Sequence, residues 1–162
     1  MSFLPRFSRC LEILTAGLLL VVVGLVSAQV VARYVFNASL TWSEEAARMT
    51  FVYLTFLGAA LALGRDRNLK IDLFVGRLSR RARLWLDLSL HGLSLAFVLV
   101  VLAYSIPLLQ RLYPTPTPAL QWSMVVFYAG IPVGSLAMVA YLIRNIRAAV
   151  AELRRGEAGP PC

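Results

Sequence analysis

Four long apolar runs, separated by polar and basic segments, dominate the pattern of the sequence. The first, residues 13–32, contains 20 residues without a charge, and the runs over residues 88–109 and 122–143 contain 22 each when His91 is counted as neutral. A helix rises 1.5 Å per residue, so about 20 apolar residues cross the hydrocarbon core of a bilayer. These three runs therefore predict membrane-spanning helices.

The second apolar run, residues 50–64, has only 15 uncharged residues, but the sequence before it extends the helix. Residues 41–44 read Thr-Trp-Ser-Glu, which fits a capping box between the Thr41 hydroxyl and the Glu44 amide. A helix over residues 42–64 would be about 35 Å long, with its first two turns at the membrane interface. The fold class predicted is therefore an all-α membrane protein with four transmembrane helices.

Basic residues predict the orientation of these helices. Thirteen of the 16 lysines and arginines fall in the two tails and in the loop between spans two and three. Because cytoplasmic segments carry the excess of basic residues, both termini are expected in the cytoplasm. The predicted organisation is a single membrane domain over residues 1–162, with spans at about 11–32, 42–64, 86–109 and 121–143 and a flexible tail at about 152–162.

The start of the chain also fits a second interpretation. Two arginines, an apolar stretch and the small residues Val26, Ser27 and Ala28 before Gln29 resemble a cleavable signal peptide. The apolar run continues past that point to Ala32, however, which makes a full span. The uncleaved helix is therefore preferred.

The loop between spans two and three predicts a basic amphipathic helix on the cytoplasmic surface. Its apolar residues recur at helical spacing while the arginines fall mostly elsewhere: Ile71, Phe74, Val75, Leu78, Ala82 and Trp85. A solvated turn that only sets the topology explains the same segment equally well. In the next loop, prolines alternate with other residues over 113–118, which favours a stiff, extended connection.

Several residues predict how the spans are anchored and packed. Gly130 and Gly134 form a GxxxG pattern that allows close approach of two helices, and Pro132 between them predicts a kink. The tryptophans fall at predicted membrane boundaries, where an amphipathic ring is best placed: Trp42, Trp85 and Trp122.

Charged and polar residues cluster where the first span ends and the second begins. Glu44 and Glu45 lie in a first helical turn, where the helix dipole favours carboxylates, and Arg48 follows Glu44 at i+4 spacing. Gln29 and Arg33 lie at the facing end of the first span. A bond from Arg33 to one of the carboxylates would make this junction rigid and create a surface for a partner.

Composition excludes most other functions. The chain is 59% hydrophobic and 15% charged, and its net charge of +8 comes from basic residues between apolar runs, not from a basic stripe that could follow nucleic acid. One histidine and two cysteines at opposite ends offer no haem ligands, no metal site and no disulfide framework. Asp87 and His91, at i, i+4 spacing, form either a structural pair or a proton-linked one. No enzymatic activity and no cofactor are expected.

A more specific motif begins at the end of the first span. It reads Arg33-Tyr34-Val35-Phe36-Asn37, Ser39-Leu40, Trp42, Glu44-Glu45, Ala47-Arg48, Phe51 and Phe56-Leu57-Gly58-Ala59, with further matches at Ile71-Asp72, Thr117-Pro118-Ala119-Leu120, Tyr128, Pro132 and Gly134. These residues, over about 33–143, closely resemble the small membrane subunit (DctQ-like) of tripartite ATP-independent periplasmic (TRAP) transporters. Asn68 stands where the family often has a histidine, so no role of that imidazole is carried over.

The resemblance implies a multi-pass protein of the bacterial inner membrane that pairs with the large TRAP membrane subunit. That subunit would hold the sodium and substrate sites, and a periplasmic solute-binding protein would deliver an organic acid to the pair. The small subunit would be a non-catalytic scaffold. Residues expected to serve the partner interface or the packing are Arg33, Asn37, Trp42, Glu44, Glu45, Arg48, Gly58, Pro132 and Gly134.

Two other functions compete with this one. The chain could be a membrane anchor or assembly subunit of an unrelated inner-membrane complex, or a small autonomous carrier. The near absence of ionisable residues at mid-depth argues against the carrier.

Overall fold

The structure is a computed structural model that describes residues 3–38, 40–65 and 80–157. Its helices are α1 (Phe3–Val35), α2 (Thr41–Arg65), α3 (Arg80–Leu112), α4 (Met124–Tyr128) and α5 (Gly130–Glu157). Four stretches are long and apolar enough to cross a membrane: α1, α2, α3, and α4 with α5 taken as one segment. These described parts of the chain contain no β-strand. The predicted all-α membrane protein with four transmembrane helices is confirmed.

α5 lies at the centre of the bundle and α1 lies at its edge. α1 packs along α2, α2 along α5, and α5 along α3, while the short α4 contacts both α2 and α3. In the most apolar stretch of the last span 44% of the residues are buried, compared with 6% in α1. The apolar side chains of α1 thus face the surroundings, as expected when lipid is the solvent.

Two glycines four residues apart allow α5 to approach α2 closely. A β-carbon on Gly130 would lie 3.0 Å from Cγ of Tyr53, and one on Gly134 would lie 2.5 Å from Cβ of Phe56. Carbon atoms without a bond between them prefer about 3.5–4.0 Å. The GxxxG pattern therefore marks a real helix contact, of the kind that small residues permit within a membrane.

The last span is divided at Ala129, between α4 and α5, although the Ala129 amide still donates to the Val125 carbonyl at 2.8 Å and its own carbonyl accepts the Val133 amide at 3.3 Å. Ser123 caps α4, because its hydroxyl accepts the Val125 amide at 3.4 Å. Pro132 is the third residue of α5, in the first turn, where a missing amide hydrogen removes no bond within that helix. Ala129 between the two helices keeps right-handed helical dihedrals, with φ −60° and ψ −22°, so a kink at the proline stays a prediction.

Two residues after the last residue of α1, the chain adopts a left-handed conformation. Asn37 has a φ of 49°, and the Ala38 amide donates to the Ala32 carbonyl at 3.1 Å across this turn. Asparagine is one of the few residues besides glycine that adopts this conformation routinely. The geometry gives Asn37 a role in ending the first span.

Two predicted segments, the amphipathic helix and the C-terminal tail, lie at the edges of the described residues. The predicted amphipathic helix runs from Ile71 to Trp85; its residues 71–79 lie outside the described residues, and its residues 80–85 form the start of α3. α5 remains helical to Glu157, so residues 152–157 continue the last helix where a flexible tail was expected. Leu153 in this extension is half-buried, which gives the helix a packed side.

Candidate functional site

Glu45, in the first turns of α2, holds the loop that precedes α4. One of its carboxylate oxygens accepts the Ala119 amide and the other accepts the Leu120 amide, each at 3.0 Å. Hydrogen bonds to an ionised carboxylate are roughly twice as strong as bonds between neutral groups. We call the contact between Glu45 and the amides of Ala119 and Leu120 the Glu45 clamp.

The clamped loop, residues 113–123, folds back on itself. Pro116 and Ser123 form an antiparallel bridge, and Gln121 adopts a φ of 55° to reverse the chain. The Gln121 side chain then donates to the Pro118 carbonyl at 3.0 Å. The prediction of an extended connection is therefore wrong, although the prolines do prevent a helix here.

Hydrogen bonding explains why this loop is compact. Residues 115–122 include two prolines, which have no amide hydrogen, and all six remaining amides are donated. Four go to oxygens of the loop and of the end of α3, from Thr115, Thr117, Gln121 and Trp122. The other two, from Ala119 and Leu120, go to Glu45. Because backbone amides need acceptors, Glu45 completes a structure that the loop cannot complete alone.

The predicted capping box at the start of α2 does not form. α2 begins at Thr41 itself, and the Leu40 carbonyl accepts both the Ser43 amide at 3.1 Å and the Ser43 hydroxyl at 2.7 Å. Glu44 points outward and pairs with Arg48 at 3.4 Å, as their i, i+4 spacing predicts. Both partners of this pair are well exposed, so it contributes little to stability.

The expected bond from Arg33 to these carboxylates is also wrong. Arg33 is exposed in the last turn of α1, and within the described part of the chain it forms no ion pair with Glu44 or Glu45. A cation at this position still interacts favourably with the negative end of the helix dipole. Glu45 thus joins α2 to the loop before α4, and does not join it to α1.

The remaining predicted residues lie in three separate places. Trp42 is 47% exposed in the first turn of α2, beside the Glu45 clamp. Asn37 lies at the end of α1. Gly58 belongs to the contact between α1 and α2, where a β-carbon would lie 3.8 Å from Cγ2 of Thr15, and Gly134 belongs to the tighter contact between α2 and α5.

Asp87 and His91 do not form a carboxylate–imidazole pair. Nδ1 of His91 lies 2.6 Å from the backbone carbonyl oxygen of Asp87, which is a local contact within one helical turn. Among the described residues, no group of three or more His, Cys, Asp and Glu side chains is placed to hold a metal ion. The geometry favours the structural interpretation of Asp87 and His91.

At the opposite end of the bundle, three helices meet around Tyr141 of α5. Its side chain is almost fully buried, and its hydroxyl lies 2.9 Å from the Ser8 hydroxyl of α1. Its ring also contacts the Phe7 ring, with centroids 6.0 Å apart. Gly64 of α2 packs so closely that a β-carbon there would lie 2.9 Å from the Tyr141 ring. We call this arrangement the Tyr141 cluster.

Side chains of α5 also cap the end of α2 in the Tyr141 cluster. Arg144 donates to the Gly64 carbonyl at 2.8 Å, and Asn145 donates to the Leu63 carbonyl at 3.0 Å. The last carbonyls of a helix lack donors from their own helix, so these side chains satisfy them. The Arg144 guanidinium lies 5.0 Å from the Tyr141 ring centroid, which helps to hold it in place.

Sequence analysis missed the Tyr141 cluster. Its members could have been found from their positions along the chain. Gly64 is the last residue of one uncharged run, Arg144 and Asn145 directly follow another, and both run ends lie on the same predicted side of the membrane. The sequence motif did include residues 117–120, but it did not indicate which residue contacts them. The clamp gives that motif a structural role.

Comparison with known proteins gives a consistent result. Residues 22–152 match the family described as tripartite ATP-independent periplasmic transporters, DctQ component. The chain is 31% identical over 137 residues to the sialic acid TRAP transporter small permease protein SiaQ of Vibrio cholerae, covering 83% of this chain and 78% of that protein. It is 26% identical over 141 residues to the isethionate TRAP transporter permease protein DctMQ of Oleidesulfovibrio alaskensis, covering 82% of this chain but only 22% of that longer protein.

Proposed function

This chain belongs to the DctQ family, the small permease subunits of TRAP transporters, and from this we propose that it is the non-catalytic scaffold of a sodium-coupled transporter for organic acids. It resides in the bacterial inner membrane and holds the large membrane subunit in position. The large subunit carries the sodium and substrate sites. The similarity to a small permease protein over 83% of the chain carries the proposal.

The distribution of charge favours a scaffold role over a direct role in transport. The four apolar runs contain no lysine, arginine, aspartate or glutamate. Ion and substrate pathways inside membranes are usually marked by such residues at mid-depth. The coupling ion and the substrate are therefore assigned to the partner.

The names and lengths of the relatives indicate the partner. Because the alignment covers 22% of DctMQ, most of that permease has no counterpart in this chain. We assign the counterpart to a separate large subunit. α1, where only 6% of the most apolar stretch is buried, offers an apolar face of membrane length for such a contact.

Besides the apolar face of α1, the region around the Glu45 clamp offers a second surface for contact with a partner. With both termini in the cytoplasm, the clamped loop and the start of α2 lie on the periplasmic face. Tyr113 and Trp122 on the loop are 75% and 53% exposed, and Trp42 in the first turn of α2 is 47% exposed. Aromatic residues are enriched in interfaces between proteins. This surface meets the large subunit or the periplasmic solute-binding protein, and the clamp keeps it rigid.

The first experiment asks which protein accompanies the chain. We expect the chain, isolated from its own bacterium in mild detergent, to bring a large TRAP membrane subunit with it. Recovery of a haem- or quinone-containing complex instead would support the competing anchor function. Organic acid uptake by this chain alone in proteoliposomes would contradict the scaffold.

A second experiment tests the clamp within the transporter. Glu45→Ala is expected to lower uptake and complex recovery several-fold, because the loop loses the acceptor for two amides. Glu44→Ala is the matched control, since its carboxylate makes only an exposed pair with Arg48 and its loss has little effect. Equal uptake by both variants would remove the clamp from the proposed interface.

A further inference from the structure

The acidic residues of the chain divide unequally between the two ends of the bundle. Glu44 and Glu45 lie where α2 begins, at the end that holds the Glu45 clamp. By sequence, the other acidic residues belong to the tails, to the loop between spans two and three, or to the helix ends next to them: Glu12, Asp66, Asp72, Asp87, Glu152 and Glu157. The single histidine, His91, also lies toward that other end. Of the whole sequence, the side chains that change charge in acid near the clamp are therefore Glu44 and Glu45.

The other charged and titratable groups at this end of the bundle keep their charge in acid. Arg48, on the same helix, favours the ionised form of Glu45 through its own charge. The elements around the clamp contribute two arginines and two tyrosines, which have the same charge at neutral and acid pH: Arg33 at the end of α1, Arg111 at the end of α3, Tyr113 in the loop and Tyr128 in α4. An acid response of the clamp would therefore come from the carboxylates.

The clamp requires the ionised form of Glu45. Each of its two carboxylate oxygens accepts one backbone amide at 3.0 Å. A protonated carboxyl carries an O–H donor on one oxygen, so protonation at either oxygen would set that O–H against an amide N–H. Glu44, by contrast, makes only an exposed pair with Arg48 at 3.4 Å. Its protonation would remove no bond to the loop.

The amides that Glu45 binds also set the direction of the pH dependence. Glu45 precedes the apolar run over residues 50–64 and so lies outside the hydrocarbon core. Partial desolvation raises the pKa of Glu45, but the hydrogen bonds from Leu120 and Ala119 outweigh it and hold the pKa below its ordinary value. The clamp is thus intact above the ordinary carboxyl pKa and is lost as the pH falls through the lowered one.

The loop can open without leaving buried polar groups unpaired. Ala119 is exposed and Leu120 is half-buried, so water can accept both amides once the carboxylate no longer does. Gln121 holds a φ of 55°, a left-handed conformation that is costly for a residue with its side chain. This strain is released when the chain reversal opens, and it favours the open state.

We propose that the Glu45 clamp is a pH-sensitive latch, which holds the loop over residues 113–123 closed at neutral pH and releases it in acid. Glu45 is the titrating group, and the amides of Ala119 and Leu120 are what it holds. Because Tyr113 and Trp122 lie on this loop, acid loosens the surface proposed to meet a partner. That consequence rests on the proposed function, whereas the latch is a property of this chain alone.

The first test follows the amide protons of Ala119 and Leu120 by NMR, in the full chain with isotopically labelled alanine and leucine in a neutral detergent. Both signals should shift together between about pH 7 and about pH 3, with one midpoint below that of the Glu44 carboxyl, read from its carbon signal. Glu45→Gln should abolish the shift, and Glu44→Gln, the matched control, should preserve it. Wild-type signals that do not move, or that share the midpoint of Glu44, would overturn the proposal.

A second measurement asks whether the loop opens. Backbone NMR relaxation reports fast motion, and the amides of Thr115, Thr117 and Gln121 should be rigid at neutral pH and mobile in acid, while those of α5 stay rigid as the reference. Glu45→Gln should be mobile already at neutral pH, and acid should add nothing. A wild-type loop that stays rigid in acid while the Ala119 and Leu120 signals titrate would exclude the latch. Both readouts use the subunit by itself, so neither depends on the proposed partners.

Discussion

At the scale of single residues, the glycines of α2 and α5 show how one missing side chain sets the distance between two helices. At Gly134 an added β-carbon would lie 2.5 Å from Cβ and 2.8 Å from the carbonyl carbon of Phe56, and a backbone atom cannot rotate away. At Gly58 the nearest atom is Cγ2 of Thr15, at an ordinary contact distance of 3.8 Å. The two positions look alike in sequence but differ in what surrounds them.

Gly134→Ala is therefore expected to destabilise the protein, and Gly58→Ala is its matched control. Overpacking a helix contact costs about 1–3 kcal/mol, so the unfolding midpoint of Gly134→Ala in detergent should fall clearly below that of the wild type. The midpoint of Gly58→Ala should stay close to it. A similar loss in both variants would show that the α2–α5 contact is no tighter than the α1–α2 contact.

Asn37 offers a second prediction at this scale. Its φ of 49° is costly for a β-branched residue and free for glycine. Asn37→Val should lower the free energy of unfolding by about 1–2 kcal/mol, whereas Asn37→Gly should leave it nearly unchanged. Reversible unfolding in mixed detergents measures both values. If Asn37→Gly is as unstable as Asn37→Val, the asparagine side chain matters more than its backbone conformation.

At the scale of helices and loops, side-chain bonds between distant segments hold the ends of the bundle. The Glu45 clamp predicts slow hydrogen exchange at the Ala119 and Leu120 amides, because both are bonded to the carboxylate. Glu45→Gln keeps the size of the side chain but offers only one acceptor oxygen, so exchange across the loop should become several-fold faster. Glu44→Gln should leave it unchanged; faster exchange in that control would point to a general effect on the start of α2.

The Tyr141 cluster makes a similar prediction at the other end. Asn145 is 8% exposed and bonds to the Leu63 carbonyl, so Asn145→Ala leaves that carbonyl without a donor, at a cost of about 1–3 kcal/mol. Arg147→Ala, an exposed position two residues further along α5, serves as the control. Thermal unfolding in detergent should separate the two variants, and equal midpoints would mean that the cap of α2 is dispensable.

At the scale of the whole molecule, the orientation in the membrane can be tested with the two natural cysteines. Cys10 and Cys162 lie near opposite ends of the chain. If both termini are cytoplasmic, a membrane-impermeant thiol reagent should label neither in intact spheroplasts and label Cys10 after permeabilisation. In a variant without these cysteines, Thr115→Cys in the clamped loop should react from outside. The opposite pattern would invert the topology and move the Glu45 clamp to the cytoplasmic face.

Sequence reasoning found the right residues more often than their partners. It identified Glu45 as important because a carboxylate in the first turn of a helix is favourable, but it assigned Arg33 as the partner because Arg33 is close along the chain. The true partners, Ala119 and Leu120, are 74 and 75 positions away. Likewise Pro132 predicted a kink in the last span, whereas the structure divides that span three residues earlier, at Ala129, which itself keeps a helical conformation.

The amino-acid sequence by itself determined the number of membrane spans, because the transfer of an apolar run into lipid depends on the composition of that run alone. It also determined the family, through the motif that begins at Arg33. It also predicted the contact at Gly130 and Gly134, which requires only small residues at helical spacing. The tertiary structure alone decided that α5 lies between α2 and α3, that Glu45 holds the loop before α4, and that Tyr141 meets Ser8, 133 positions away in the chain. A hydrogen bond depends on distances between atoms, and for distant segments only the packing of the helices fixes those distances.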